Sequence, residues 1–508
     1  VAAAAEPLSF TITAAPHVLP ARVTGRVYVF LAEPGGNMPP RYGPNWFRPK
    51  PFFATDVTDW DTTQPLAFGP DGVVGFPGPL SELAAGAYQA QAVVRLNPDT
   101  ARIGNGEGNA FGPAVDITID PAQGGAIPLT VDAIEHPPAP RAADGVTYIE
   151  VPSRLLSEFH KRPIVMRAGV ILPPAARATD RDPALKWPSL YIIPGFGGDH
   201  RGAGNMARRP GGFGADFVRI LLDPDCGTGH HVFADSANNG PRGQALIEEL
   251  IPYVEAHFPV IADPGARLVN GHSSGGWSSL WLQVAYPDAF GGVWSTSPDP
   301  VDFRDFQQID LYAKGANMFH DPNGERRPLA RRGETPFIWY DDFSKMEDVM
   351  GPGGQLHSFE AVFSPRGDDG QPRPLWDRKT GDVDPVTAAA WKPYDIRLVL
   401  EERWPELGPK LKGKLHVVTG GLDTFYLEGA VALLKESLEK LGSDAEVRVV
   451  PGRDHGSIMD QALSDEMDAQ MRQAIARFRP DLAEKKPPAP AEAAPRRAEP
   501  VGAPAGAH

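Results

Sequence analysis

The six residues Gly271-His272-Ser273-Ser274-Gly275-Gly276 constrain this chain more than any other stretch. Arg267-Leu268-Val269-Asn270 leads into them and reads as a strand; Trp277 to Tyr286 comes after, reads as a helix and stops at Pro287. A serine at the centre of such a sharp strand-to-helix turn projects its hydroxyl above the sheet. Side chains two positions before and after it would collide with the neighbouring strand and helix. Gly271 and Gly275 remove that conflict for Ser273, whereas Ser274 would need a small residue at the position held by His272. Ser273 is therefore the expected nucleophile.

A serine hydroxyl is a weak nucleophile at neutral pH and needs a base. Chains with this elbow place the partners in the order serine, acid, histidine. Gly452-Arg453-Asp454-His455-Gly456-Ser457 follows the last expected strand, Ala445 to Val450, and so makes His455 the expected base. The preceding expected strand, Leu415 to Thr419, runs into Gly420-Gly421-Leu422-Asp423. Asp423 there would accept the Nδ1–H of His455 and stabilise the imidazolium. Asp454 is a sequence neighbour of His455 and badly placed to reach its ring; Glu428, a helical turn beyond Asp423, is the alternative acid. An oxyanion needs two N–H donors. Ser274 is expected to supply one, and Phe196, with Gly197 next, the other, from the Gly195-Phe196-Gly197-Gly198 loop after the strand Ser189 to Ile193.

The 508 residues suit two domains. Residues 1–135 show period-two apolar runs between Gly/Pro turns, as in Leu8 to Thr13, Gly25 to Leu31, Ala87 to Val94 and Ala114 to Ile119, which predicts a β-sandwich. Trp46, Phe47, Phe52, Phe53 and Trp60 fall in a loop-rich part, either as a sugar-binding platform or as core and inter-domain packing. Residues 136–144, with Pro137-Pro138-Ala139-Pro140, read as a linker. Residues 145–480 alternate strands and helices, the mark of an α/β domain. Its helices include Ala245 to His257, expected to kink at Pro252, a segment over 426–441, and Gln461 to Phe478. Residues 298–411 are rich in Gly, Pro, Trp and charge with weak periodicity, and are expected to be a lid-like insertion over Ser273. Trp339, Tyr340, Phe343 and Trp376 are its candidates for stacking on a substrate ring, a small satellite core being the alternative. Residues 481–508 read as a disordered Pro/Ala-rich tail.

A net charge of −15 argues against nucleic acid, and no apolar run reaches the ~18 residues of a membrane span. The one cysteine, Cys226, excludes an internal disulfide and a Cys-based zinc cluster, and reads as a small buried residue. His230 and His231 are adjacent and should point to opposite faces, so no metal is expected there. Asp341-Asp342 reads as a solvated pair rather than a glycosidase pair, and no phosphate-binding Gly-rich loop occurs, so no metal, nucleotide or other cofactor is expected. The opening Val-Ala-Ala-Ala-Ala-Glu suggests a trimmed export signal, and hence a secreted or periplasmic setting.

Pro194-Gly195-Phe196-Gly197-Gly198, Asp235 to Pro241, Gly271 to Trp277, Asp423-Thr424-Phe425-Tyr426 and Asp454-His455-Gly456 together resemble the esterase D-like, enterochelin-esterase-like and feruloyl-esterase-like branch of the α/β hydrolases. The resemblance covers most of residues 145–480. It implies an α/β-hydrolase fold behind an N-terminal β-sandwich domain, with Ser273, Asp423 and His455 as triad. It also places Asn238, Asn239 and Trp277 near the mouth. The implied activity is cleavage of aryl, feruloyl, acetyl-sugar or siderophore-type esters, on a small-molecule or polysaccharide-linked substrate. The chain departs from this branch in its insertion and in lacking a basic cluster for a catecholate siderophore. Two rival readings are an acyltransferase with the same triad and an inactive carbohydrate- or envelope-binding protein.

Overall fold

The computed structural model describes residues 7–209 and 213–484. Eight strands form its central sheet: β1 (Val146–Ser153), β2 (Ile164–Ile171), β3 (Ser189–Ile193), β4 (Val218–Leu222), β5 (Arg267–His272), β6 (Gly292–Thr296), β7 (Leu415–Gly420) and β8 (Glu446–Val450). Their order is β1-β2-β4-β3-β5-β6-β7-β8. The pairs β1–β2 and β2–β4 are antiparallel, and every pair from β4 to β8 is parallel. All residues of β3, β4 and β6 are buried, because separate apolar clusters cover the two faces of the sheet. The parallel run sends the carboxyl ends of β3, β5, β6, β7 and β8 to one edge, where such folds hold their ligands.

Seven helices frame the sheet edge and the insertion: α1 (Ser274–Ala285), α2 (Tyr340–Met350), α3 (Gln355–Phe363), α4 (Pro385–Trp391), α5 (Ile396–Leu411), α6 (Glu428–Lys440) and α7 (Gln461–Ala474). The helix across Ala245 to His257 is irregular next to Pro252. Its middle, Leu246–Leu250, is a π turn, and Pro252 falls in the first turn of the α segment Ile251–His257. The helix runs into this segment without a break, and the π turn just ahead of the proline is the irregularity that its missing N–H calls for.

Residues 298–411 are far more regular than their weak periodicity predicts. They hold a hairpin, Pro328–Arg332 with Thr335–Trp339, and the helices α2 to α5. The helices are packed by an aromatic cluster of Phe303, Phe306, Phe359, Phe363 and Trp391. Gln355–Phe363 is buried on nearly all its faces, so no single stripe of apolar residues stands out there in sequence.

The N-terminal strands form two sheets. One orders Leu66–Phe68, Leu8–Ala14 and Gly125–Val131; the other is built on Gly86–Arg95, Arg22–Ala32 and Phe52–Asp61. Phe10, Ile12, Phe68 and Leu129 of the first share a core with Val27, Val29, Phe53 and Val94 of the second. Phe52, Phe53 and Trp60, expected in a loop-rich stretch, belong to the strand Phe52–Asp61. The alternate residues Tyr28, Phe30 and Phe52 face the other way, into the core of the catalytic half. Burial on both faces is why Val27-Tyr28-Val29-Phe30-Leu31 is a continuous apolar run and blurs the alternation. Polar bonds lock the same contact: Tyr28 Oη donates to the Met350 carbonyl at 2.6 Å, and the Arg26 guanidinium to the carbonyls of Asp348 and Val349.

Candidate active site

Ser273 lies between β5 and α1 with φ 59° and ψ −126°, a conformation that costs about 1–3 kcal/mol for a non-glycine residue. Close packing enforces it. A Cβ on Gly271 would stand 1.9 Å from the Gly275 carbonyl oxygen, and one on Gly275 would stand 2.0 Å from that of Ile193. The Ser273 N–H donates to the Thr296 carbonyl at 3.0 Å, tying the turn to β6. Ser274 is different: it starts the helix and is 1 % exposed.

Asp423 and His455 leave the ends of β7 and β8. Asp423 Oδ2 pairs with His455 Nδ1 at 2.8 Å, and its Oδ1 accepts the Phe425 N–H at 2.9 Å. The Asp423 carboxylate is fully buried. Burial pushes the His455 imidazole down, but the charge and hydrogen bond of Asp423 outweigh it, so its pKa is raised above the ordinary value. The His455 ring lies 4.6 Å from that of His272, the residue before Ser273, and Phe425 meets it edge-on at 5.0 Å. His272 is held neutral, its pKa pushed down to about 3 by burial and by the neighbouring His455. Among the described residues no hydrogen bond joins Ser273 Oγ to the imidazole; in a resting enzyme this contact is ordinarily loose.

Glu428 is occupied elsewhere. Its carboxylate pairs with the Arg331 guanidinium, which reaches in from the insertion hairpin. Arg331 Nε also donates to the Asp423 carbonyl at 3.0 Å, and its backbone N–H to the Thr424 carbonyl at 2.8 Å. The insertion thus grips the loop that carries Asp423.

The loop after β3 is braced from three sides. His230 Nε2 bonds the Pro194 carbonyl at 2.9 Å, Arg102 donates to the Gly197 carbonyl at 3.3 Å, and Trp46 stacks on the Phe196 ring at 5.2 Å. Trp46 in turn meets Phe343 edge-on at 5.1 Å, so its role is packing between the N-terminal strands, this loop and the insertion. A Cβ on Gly195 would lie 3.7 Å from Ser273 Oγ, which sets how closely the loop approaches the nucleophile. Beside it a cavity of about 110 Å³ opens between Trp46, Arg102, Ile103, Phe196, Gly197 and Met350.

Five expected substrate contacts are otherwise employed. Asn238 is 8 % exposed and spends its Nδ2 on the carbonyls of Ala361 and Ser364. Asn239 is 3 % exposed and accepts the Thr228 hydroxyl at 2.6 Å. Trp277, 1 % exposed, is packed between Trp281 and Phe363. Trp376, 3 % exposed, donates to Ser344 Oγ and carries Arg378 on its face. Trp339 is half-buried under Arg326. Asn238, Trp277, Trp339 and Trp376 are absorbed by contacts with the insertion, whose own core needs large side chains and whose carbonyls need donors, whereas Asn239 is held by Thr228 outside it. Sequence reasoning missed Asp299 and Gln355, which lie against the elbow, and Arg331; no motif marks any of them.

Residues 234–455 match the family model described as "Putative esterase". The chain is a carboxylic ester hydrolase. The matched segment of this esterase runs from ahead of the elbow to His455 and takes in the whole insertion. No curated protein matches the chain. Among solved structures, the esterase is similar to a ferulic acid esterase at 14 % identity, over 62 % of this chain and 91 % of that one, with a TM-score of 0.38. It is also similar to the fluorophosphonate-binding serine hydrolase FphF of Staphylococcus aureus at 15 % identity, over 64 % and 98 % of the two chains, TM-score 0.39. An S-formylglutathione hydrolase from Agrobacterium tumefaciens is similar at 14 % identity, over 66 % and 98 %, TM-score 0.40. Among the described residues no helix is long and apolar enough to cross a membrane.

Proposed function

We propose that this esterase works through an acyl-enzyme formed on Ser273, with His455 as general base and acid and Asp423 as its partner. The observation that carries the proposal is the 2.8 Å pair of His455 Nδ1 with the buried Asp423 carboxylate, beside a serine in an enforced strained turn. Nδ1 is the protonated nitrogen in this arrangement, which leaves Nε2 free to take a proton. Ser273 Oγ attacks the ester carbonyl carbon as His455 Nε2 removes its proton. The oxyanion is received by the N–H of Ser274 and that of Phe196, or of Gly197 beside it. Collapse breaks the bond to the alcohol oxygen, which takes the proton back from His455. Water, deprotonated by the same nitrogen, then releases the acid and restores the serine hydroxyl.

The same reading takes residues 1–135 as a β-sandwich domain, 136–144 as a linker and 145–480 as an α/β-hydrolase domain with its insertion over 298–411. The shared core of the two N-terminal sheets and the strand order of the eight-stranded sheet support it. The proposed tail, 481–508, lies almost wholly outside the described residues. The substrate is a small-molecule or polysaccharide-linked ester.

The test is covalent labelling with a fluorophosphonate and turnover of aryl acetate, feruloyl and acetyl-sugar esters. Wild type should label once, on Ser273. Ser273→Ala should lose the label and on the order of 10⁴–10⁶ in kcat. Label on Ser274 instead, or full turnover by Ser273→Ala, would remove the proposal.

A further inference from the structure

A second buried carboxylate lies against the elbow. Asp299 follows β6 by three residues and is 6 % exposed. Its backbone N–H donates to the Ser273 carbonyl at 3.3 Å, so it is tied directly to the nucleophile's peptide. Its Oδ2 accepts from Gln355 Nε2 at 3.2 Å, and the same Nε2 lies 3.2 Å from Ser274 Oγ. Gln355 is the first residue of α3, in the insertion. Gln355 therefore bridges Asp299 to Ser274, the residue whose N–H is proposed to meet the oxyanion.

We propose that Asp299 is a positioning residue of this site: with Gln355 it holds Ser274, and so its oxyanion-binding N–H, while its carboxylate stabilises the imidazolium that His455 becomes. The inference rests on the acyl-enzyme reading and extends it to a group outside the triad. Burying a carboxylate is costly unless it is hydrogen-bonded, and the donor here, Gln355, also reaches the elbow. Gln355 from α3 donates to it, Ser274 from α1 is held by the same amide, and its charge couples to His455 and Asp423 from the ends of β8 and β7 and to Tyr340 from α2. Burial pushes its pKa up to about 6, against the Ser274 hydroxyl, His455 and Gln355, which pull it down; Asp423 adds to the rise. In the other direction, Asp299 adds to Asp423 in raising His455.

A negative Asp299 favours the protonated imidazole, so removing its charge lowers the pKa of His455. The base is active when neutral, so the acid limb of kcat/KM moves to lower pH. In wild type both groups lose protons as that limb rises, Asp299 becoming charged as His455 becomes neutral.

The experiment compares full-length wild type, Asp299→Asn and Gln355→Leu. Asparagine keeps the size of the side chain and an oxygen for Gln355, and removes the charge. It should shift the acid limb down by ~0.5–1 pH unit and lower plateau kcat about tenfold, the scale of losing one favourable interaction in the transition state. Gln355→Leu removes one donor that keeps Asp299 ionised, and should shift the limb the same way by less. The His455 imidazole is then titrated by NMR in the inert Ser273→Ala background, with and without Asp299→Asn. Its midpoint should fall with the second substitution, a change that a purely structural role for Asp299 would not produce. If the limb and the imidazole midpoint stay in place in both variants, the inference is overturned while the acyl-enzyme reading stands. Turnover that survives Ser273→Ala sinks the reading itself.

Discussion

The carboxyl edge of the central sheet and the insertion lying against it build their shares of the site in opposite ways. At the sheet edge each chemical group sits in a short loop whose geometry is set by the strand before it. β5 aims Ser273, β7 aims Asp423, β8 aims His455, and β3 ends in the loop of Phe196. The insertion contributes through single side chains from distant elements: Arg331 from its hairpin reaches the Asp423 carbonyl 92 residues away, and Gln355 from α3 reaches Ser274 across 81. The sheet edge holds the groups proposed to react, and the insertion braces the loop of Asp423. A loop group should therefore be worth orders of magnitude in rate, an insertion contact about one.

The largest effect after loss of the nucleophile tests the sheet edge. Asp423→Asn keeps the shape of the acid and should leave the fold intact, yet favour the wrong imidazole tautomer and lower kcat by roughly 10⁴. Glu428→Gln should stay within a few-fold of wild type, because that carboxylate is engaged by Arg331 and not by His455. Steady-state kinetics on one aryl ester compares the two. Near-normal kcat in Asp423→Asn with collapse in Glu428→Gln would hand the acid role to Glu428 and erase the distinction between the regions.

That contrast also explains what the sequence disclosed. Gly271 to Gly276, the run ending at Asp423 and the run around His455 are each legible within about six residues, because strand, turn and glycine spacing are local properties. The alternation of apolar runs and helices likewise marks the strands of the central sheet. What stayed hidden depends on packing between remote segments. Nothing around Asp299 announces that it lies against the elbow, and nothing around Trp376 announces that it is buried among insertion helices rather than aimed at a ligand. The strand Arg22–Ala32 is a milder case, its alternation erased because the catalytic half covers its second face.

A second prediction sharpens the comparison from the insertion's side. Trp376 is 3 % exposed, with its indole N–H on Ser344 Oγ. Trp376→Ala should cost about 3–5 kcal/mol of stability, as deletion of a buried tryptophan does. Because the ring packs rather than binds, relative rates among aryl, feruloyl and acetyl-sugar esters should stay as in wild type at a temperature where both fold. Denaturant unfolding and a substrate panel read the two quantities separately. A changed substrate ranking with unchanged stability would return Trp376 to the pocket and make the insertion a direct binding element.

The smallest expected effect lies where the two regions meet. Arg331 is the insertion's hold on the acid loop: its Nε donates to the Asp423 carbonyl, its guanidinium pairs with Glu428, and it lies 4.4 Å above the Tyr426 ring. Arg331→Ala frees that loop without touching the carboxylate that meets His455, so Asp423 spends part of its time out of register. A loss of about tenfold in kcat corresponds to about 1.4 kcal/mol, the scale of one hydrogen bond to a charged group. KM should change little, since Arg331 acts through Asp423 and not on the substrate. Lysine separates the two bonds. Arg331→Lys keeps a cation for Glu428 but, lacking the planar fork, cannot hold the Asp423 carbonyl at the same time. It should recover most of the stability lost in the alanine variant and little of the rate. If lysine restores the rate fully, the ion pair with Glu428 is what steadies the loop. If alanine leaves kcat unchanged, the sheet edge positions Asp423 unaided and the insertion serves the site only as cover.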